Sequence, residues 1–421
     1  MRAKNKWLIA LSTIAIHISI GSVYAYSVFK SPLSEQIGWD SQKVALAFTI
    51  AIFFLGITAA FFGKQIEKIG PRKAGILAAV LFCGGLAIAG WGVTEGSLYG
   101  FYLGYGVIGG IGLGVGYLAP VSTLVSWFPD RRGFATGMAV MGFGMGAFAA
   151  GPIAAKLIES IGIANTLFTM SVAYCMIMLA GASYIARPTT GTTAQTDTHA
   201  HSPGKSNKAP LVIADISPRE ALASGRFWML WTMFFINITC GIMLISAASP
   251  MAQEQVGMSA AAAATMVGVM GLFNGLGRLG WSALSDKLGR SNIFTLFFSV
   301  TFVAFLLLPQ LSSPLLFQIF IFLIISFYGG GFAISPAFIG DMFGTKHLGV
   351  ILGYLLTAWS TAGIAGPMAV AFIYERTGGY ELTFYLFAVL LIIAFGISFL
   401  IRRAIQPTSG RLPLMKEKRH V

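Results

Sequence analysis

Arg278 is the residue whose chemistry most needs explaining. It stands in the apolar run 261–284, within NGLGRLGWSALSDKLGR from Asn274 to Arg290. Placing a guanidinium at the centre of a bilayer costs about 2.5–3.5 kcal/mol even on the lenient insertion scale, so a chain that keeps one there uses it. Asn274 comes four residues earlier and on a helix shares its face, within reach to orient the guanidinium or share its ligand. All fifteen acidic residues fall outside the interiors of the predicted spans, with Glu159 and Asp341 at span ends. Arg278 therefore has no membrane-buried carboxylate of the protein's own to pair with. A guanidinium facing a cavity grips a foreign carboxylate with two parallel hydrogen bonds, so an anion site is expected. The plainer alternative is an arginine solvated by cavity water and backbone carbonyls.

Other candidates surround this one. His17, Gly21 and Tyr24 follow at i, i+4 and i+7, which puts imidazole and phenol on one helical face. His17 is then either a packing histidine bonded to a carbonyl or a proton-coupling group. Tyr24, Tyr117, Phe143, Tyr328, Phe332 and Trp359 offer apolar walls with a few polar tips, which suits a small organic anion, although each alone reads better as core packing. Two loops carry related charges, Glu67, Lys68 and Arg72 in one and Asp286, Lys287 and Arg290 in the other. They suit ion pairs that latch two halves in one state, and exposed pairs worth about 0–1 kcal/mol each fit a protein that must switch. The same basic residues also serve membrane topology. Cys83, Cys175 and Cys240 are singletons without metal-ligand spacing, and no cofactor or metal is expected.

The elements that must position these residues are membrane helices. Across 421 residues, 56% are hydrophobic and only 10% charged, far too apolar for a water-soluble domain. Runs long enough to cross the hydrocarbon core, about 20 residues each, occur at 7–29, 43–63, 74–94, 98–126, 134–158 and 163–186. A second set occupies 227–249, 261–284, 292–309, 314–338, 348–373 and 380–401. The expected fold is an all-α membrane protein of twelve spans in two six-helix bundles, residues 1–186 and 227–403. A hydrophilic linker, 187–226, joins them and ends in a short amphipathic helix with Ser217 as cap and Pro218 in its first turn. A basic tail, 404–421, follows.

The formal charge of +13 does not point to nucleic acid, because of where it falls. With the N-terminus cytoplasmic, that side collects Lys64, Lys68, Arg72, Lys73, Arg131, Arg132, Lys287, Arg290, Arg402 and Arg403 among others. The opposite side receives Lys30, Lys43, Lys156 and Arg376. This bias predicts cytoplasmic termini and linker. The halves also repeat each other. GKQIEKIGPRK at 63–73 answers SALSDKLGR at 282–290, WFPDRRGFATG answers MFGTKHLGVILG, and Gly151-Pro152 answers Gly366-Pro367. Matches at one common offset indicate a duplicated six-helix unit, a plan characteristic of transporters. Glycines crowd the fourth and fifth spans, including Gly142, Gly144 and Gly146, where close helix packing is the expected use.

The duplication, the twelve spans and both loop motifs make the whole chain resemble the major facilitator superfamily, with Glu67 for the usual Asp and Ser282 for the usual Gly. Within it, GSVYAYSVF, WFPDRRGFATG, FNGLGRLGWSALSDKLGR and SPAFIGDMFGT are similar to the oxalate/formate antiporter family and the related monocarboxylate transporters. The resemblance implies a central site in which Arg278 binds a substrate carboxylate and Tyr24, Tyr117, Phe143, Tyr328 and Phe332 line the cavity. It also exposes departures. Dicarboxylate exchangers of the family carry a lysine where this chain has Trp359. The animal monocarboxylate branch carries an Asp where this chain has Asn274.

The expected function is secondary transport of small monocarboxylates of the lactate, pyruvate or formate type by alternating access, with proton symport favoured over exchange. The proton would travel on the substrate, on His17, or through a change at Arg278. The alternatives are an oxalate/formate-type anion exchanger and a non-transporting carboxylate sensor. An enzyme is not expected, since no buried nucleophile and base are paired. The expected partners are a small carboxylate, a proton and the lipid bilayer, and the expected setting is a monomer in a bacterial inner membrane.

Overall fold

A computed structural model of the protein describes residues 4–188 and 215–405. Most of the linker, 189–214, and the tail beyond 405 lie outside the described residues. The first half is built from α1 (Lys6–Ala25), α2 (Lys43–Ile69), α3 (Pro71–Thr94), α4 (Leu98–Trp127), α5 (Pro129–Ile161) and α6 (Ile163–Tyr184). The second half is built from α7 (Gly225–Val256), α8 (Ala260–Leu288), α9 (Arg290–Gln310), α10 (Pro314–Phe343), α11 (Leu348–Thr377) and α12 (Glu381–Ile405). Eleven of these are long and apolar enough to cross a membrane. The twelfth, α8, is 29 residues long and spaces Asn274, Arg278, Ser282 and Asp286 four apart along one face.

Helix ends follow local chemistry. Ser97, Ser224, Ser259 and Ser313 each accept a backbone N–H in the first turn of the helix that follows, satisfying donors the helix itself cannot. Gly162, at φ 79°, breaks the chain between α5 and α6 where an L side chain would be strained. Ser217 and Glu220 form a reciprocal capping box on the short helix Pro218–Ala223. One expected span differs in detail. The run 7–29 does not continue as one helix: it tightens to a 3₁₀ turn at Ser22–Ala25, and a separate helix, Ser27–Ile37, follows. The change comes just after Gly21, where a Cβ would collide with the α5 backbone at Phe143. Such short 3₁₀ pieces mark places where a helix is strained or bends.

Glycine brings the helices together. Phe61, Trp91, Tyr99, Val172 and Met176 are exposed on the outside, as lipid-facing side chains should be. Lipid offers no hydrophobic drive for helix association, so contact comes from close van der Waals fit. On α5, a Cβ at Gly142 would lie 3.0 Å from the Ile14 carbonyl of α1, and one at Gly144 would lie 3.0 Å from Cα of Gly275 on α8. Alternate glycines thus let α5 wedge between the first half and the second. On the other side of the seam, Ser360 of α11 donates to the Ile52 carbonyl of α2 at 3.1 Å.

Candidate functional site

Arg278 is completely buried where the two halves meet. Its Nε donates to Asn274 Oδ1 at 3.1 Å, the bond expected of an i, i+4 pair, and its Nη1 donates to the Val140 carbonyl of α5 at 3.1 Å. The guanidinium lies over two rings, Phe332 at 4.9 Å and Phe143 at 5.6 Å, one from each half. No carboxylate lies within ion-pair distance of it among the described residues. Among the described residues Nη2 has no hydrogen-bond partner. A buried N–H of a charged group left unpaired is costly, and it offers a ready donor to an arriving anion.

The aromatic candidates converge on this cation. Trp359, fully buried on α11, stands 4.7 Å from Phe332, 5.8 Å from Phe143, 6.0 Å from Tyr117 and 6.3 Å from Tyr24, centroid to centroid. The Tyr24 and Tyr328 hydroxyls meet at 3.2 Å across the seam, either one donating. Two more polar tips in the cluster, the Tyr117 hydroxyl and Trp359 Nε1, are buried without partners. Six aromatic rings, two of them under the guanidinium, and two unused polar groups, the Tyr117 hydroxyl and Trp359 Nε1, therefore cluster about one charge without a carboxylate partner. This arrangement suits an anion with a small polar body.

His17 sits behind the wall. It is fully buried, with Nδ1 2.5 Å from the Ala139 carbonyl and Nε2 3.4 Å from the Tyr117 carbonyl. Its ring lies 5.4 Å from the Tyr117 ring and 6.3 Å from that of Phe143.

The loop charges divide. Both carboxylates cap a helix of the opposite half: Glu67 accepts from the backbone N–H of Val350 at the start of α11 at 3.1 Å, and Asp286 accepts from Gly133 and Phe134 at the start of α5, both at 2.9 Å. Helix N-termini present free N–H groups and positive potential to such anions. Arg290 pairs with Asp286 at 2.5 Å and with Asp341 at 3.0 Å, and Arg132 crosses the seam to Asp341 at 3.2 Å. Lys68, Arg72 and Lys287 are exposed and stand outside this joint. Sequence reasoning missed Val140, whose contribution is a backbone atom, and missed Arg132 and Asp341 as a pair, although both lie in motifs it singled out. Asn237, which it also missed, is buried on α7 with its Oδ1 unpartnered against Gly331.

Comparison with known proteins places this geometry. The family model of the Major Facilitator Superfamily matches residues 12–333 and 239–420. An oxalate:formate antiporter from Oxalobacter formigenes is 27% identical over 431 residues, covering 99% of this chain and 96% of that protein. Apicoplast pyruvate carrier 1 of Toxoplasma gondii is 24% identical over 400 residues, covering 78% of this chain and 69% of the carrier. Among solved structures, the proton:xylose symporter XylE aligns with a TM-score of 0.72 at 14% identity, covering 94% of this chain and 95% of that one. FucP in its outward conformation aligns at 0.69 and 15%, covering 94% and 99%. At such identities the solved structures establish the fold. With two matched six-helix halves closed around a buried cation, and a family model spanning nearly the whole chain, this multi-pass membrane protein belongs to the Major Facilitator Superfamily and is a transporter, not an enzyme.

Proposed function

We propose that the protein carries small monocarboxylates of the lactate, pyruvate or formate type, by proton symport and alternating access. The observation that carries this reading is Arg278, fully buried with neutral partners only and with Nη2 unpaired. One carboxylate satisfies it. A second carboxylate would meet Trp359 instead of a cation, and a buried unpaired charge costs several kcal/mol. Substrate neutralising Arg278 lowers the cost of closing the site, which ties binding to the conformational switch. Because an arginine does not release its proton, the proton is assigned to the substrate or to a neighbouring group. The halves are joined by capped helix ends on the side where Lys4 meets Tyr184 and Arg187 meets Glu67. The charge bias assigns that side, with the termini and linker, to the cytoplasm, which in a bacterium makes this the inner membrane. The protein is taken to act as a monomer.

The second reading is anion exchange, favoured by the likeness to the Oxalobacter oxalate:formate antiporter, which aligns over nearly the whole chain. Uptake of labelled L-lactate into proteoliposomes, with and without an inward proton gradient, separates the two. Symport predicts gradient-stimulated uptake that pyruvate and formate compete and oxalate does not. Exchange predicts no net uptake until oxalate or formate is preloaded. Arg278→Ala should lower uptake by at least about a hundredfold, as loss of a charge-assisted bidentate contact implies, with membrane insertion intact. Saturable lactate transport in that variant would remove the anion site.

A further inference from the structure

The imidazole of His17 contacts three elements at once. It projects from α1, its Nδ1 meets the Ala139 carbonyl of α5, and its Nε2 faces the Tyr117 carbonyl of α4. The next carbonyl along α5, Val140, is the one that receives Nη1 of Arg278 from the other half. Two successive peptide oxygens of one helix, turned about 100° from each other around its axis, thus meet different partners, one held by the first half and one offered to the second. Each already belongs to a helix, and a carbonyl has a second lone pair to spend on such a contact.

We propose that His17 is a positioning residue: by holding the Ala139 carbonyl it fixes the short α5 segment from Ala139 to Phe143, and so places both the Val140 oxygen and the Phe143 ring against Arg278. The proposal rests on the monocarboxylate reading of that site and assigns His17 a role within it. A neutral imidazole has one N–H, and the 2.5 Å contact to Ala139 is where it belongs. The 3.4 Å separation on the other side is that of a nitrogen lone pair held off an oxygen. Gly142 makes the approach possible, since a Cβ there would lie 3.1 Å from His17 Cβ. The ring is fully buried, with Tyr117 and Phe143 packed against it. The titratable groups facing it are Tyr117 from α4 and Arg278 from α8. A group so enclosed sets geometry, and proton traffic through it would break the contact that does so.

The test compares initial rates of lactate uptake in proteoliposomes containing wild type, His17→Ala, His17→Asn, His17→Gln and Arg278→Ala. An asparagine N–H falls where Nδ1 lies, and a glutamine N–H falls nearer Nε2. His17→Ala is expected to raise KM about tenfold with kcat within about twofold, the size of one lost buried hydrogen bond. His17→Asn is expected to bring KM back to within about threefold of wild type and to keep its stimulation by a proton gradient, although it cannot titrate. His17→Gln is expected not to rescue. An unchanged KM in His17→Ala, or an Asn variant that transports without gradient stimulation, overturns the proposal and leaves the anion site standing. Lactate uptake that survives Arg278→Ala overturns the site itself. If His17→Ala does not insert, the contrast between Asn and Gln decides alone.

Discussion

Glu67 and Asp286 hold matching places in the two halves, yet they do unequal work. Each reaches across the seam to the first turn of a helix in the other half, and each meets a glycine there, Gly349 or Gly133, whose missing Cβ makes room for the carboxylate. Asp286 accepts two backbone N–H groups and is gripped by Arg290, which Asp341 and Arg132 tie into a network. Glu67 accepts one well-formed bond, from Val350, with the Gly349 N–H as a weaker neighbour, while Arg187 at the start of the linker bonds the Glu67 carbonyl instead of its carboxylate. A duplicated unit has thus kept its plan and lost its energetic symmetry. The shorter aspartate is pinned by three donors, and the longer glutamate by fewer and weaker ones, none of them charged. The joint on the Glu67 side should give way first.

Three substitutions sharpen that contrast, read as the distance between spin labels at Lys68→Cys and Lys287→Cys with Cys83, Cys175 and Cys240 replaced. Both label sites are exposed and outside the joint. Asp286→Ala should produce the largest shift away from the joined state, about 3 kcal/mol or roughly a hundredfold in population, since charge-assisted bonds to two buried N–H groups go at once. Glu67→Ala should shift it by about 1.5 kcal/mol, roughly tenfold, for a single bond of the same kind. Arg187→Ala, exposed and bonded only to a main-chain oxygen, should move it by no more than about 0.5 kcal/mol. Equal shifts for the two carboxylates would show that the network around Asp341 contributes nothing to the seam.

The fold was legible because membrane hydropathy and internal repetition are written along the chain. Twelve apolar runs and one recurring offset leave few architectures open. Arg278 was legible for a related reason, as the one charge set deep in an apolar run, and the four-residue spacing anticipated its bond to Asn274. What stayed hidden was the other side of each contact. Val140 and Ala139 act through backbone oxygens, which no side chain announces. Arg132 and Asp341 lie 209 residues apart, and nothing local to either motif says that they meet. The loop motifs suggested ion pairs between the halves, whereas their carboxylates reach helix ends and Lys68, Arg72 and Lys287 are exposed. The break after Gly21 was equally invisible, because SVYA has ordinary membrane-helix composition, and its tightening depends on where α5 runs.

The glycines of the seam have a consequence for the rate of switching. Where Gly144 meets Gly275, and where Gly353 meets the backbone of Ala59, main chain lies directly on main chain. Main chain has no rotamers to exchange, so at these points one half can move over the other without repacking, and the side chains that must unpack are gathered in the aromatic cluster around Arg278. The barrier is then concentrated in the bonds at the helix ends, in the Tyr24–Tyr328 hydroxyl pair, and in the Arg278–Val140 and Ser360–Ile52 bonds. Transport in this protein should accordingly be paced by a handful of discrete hydrogen bonds, while the broad surface between the halves acts as a bearing.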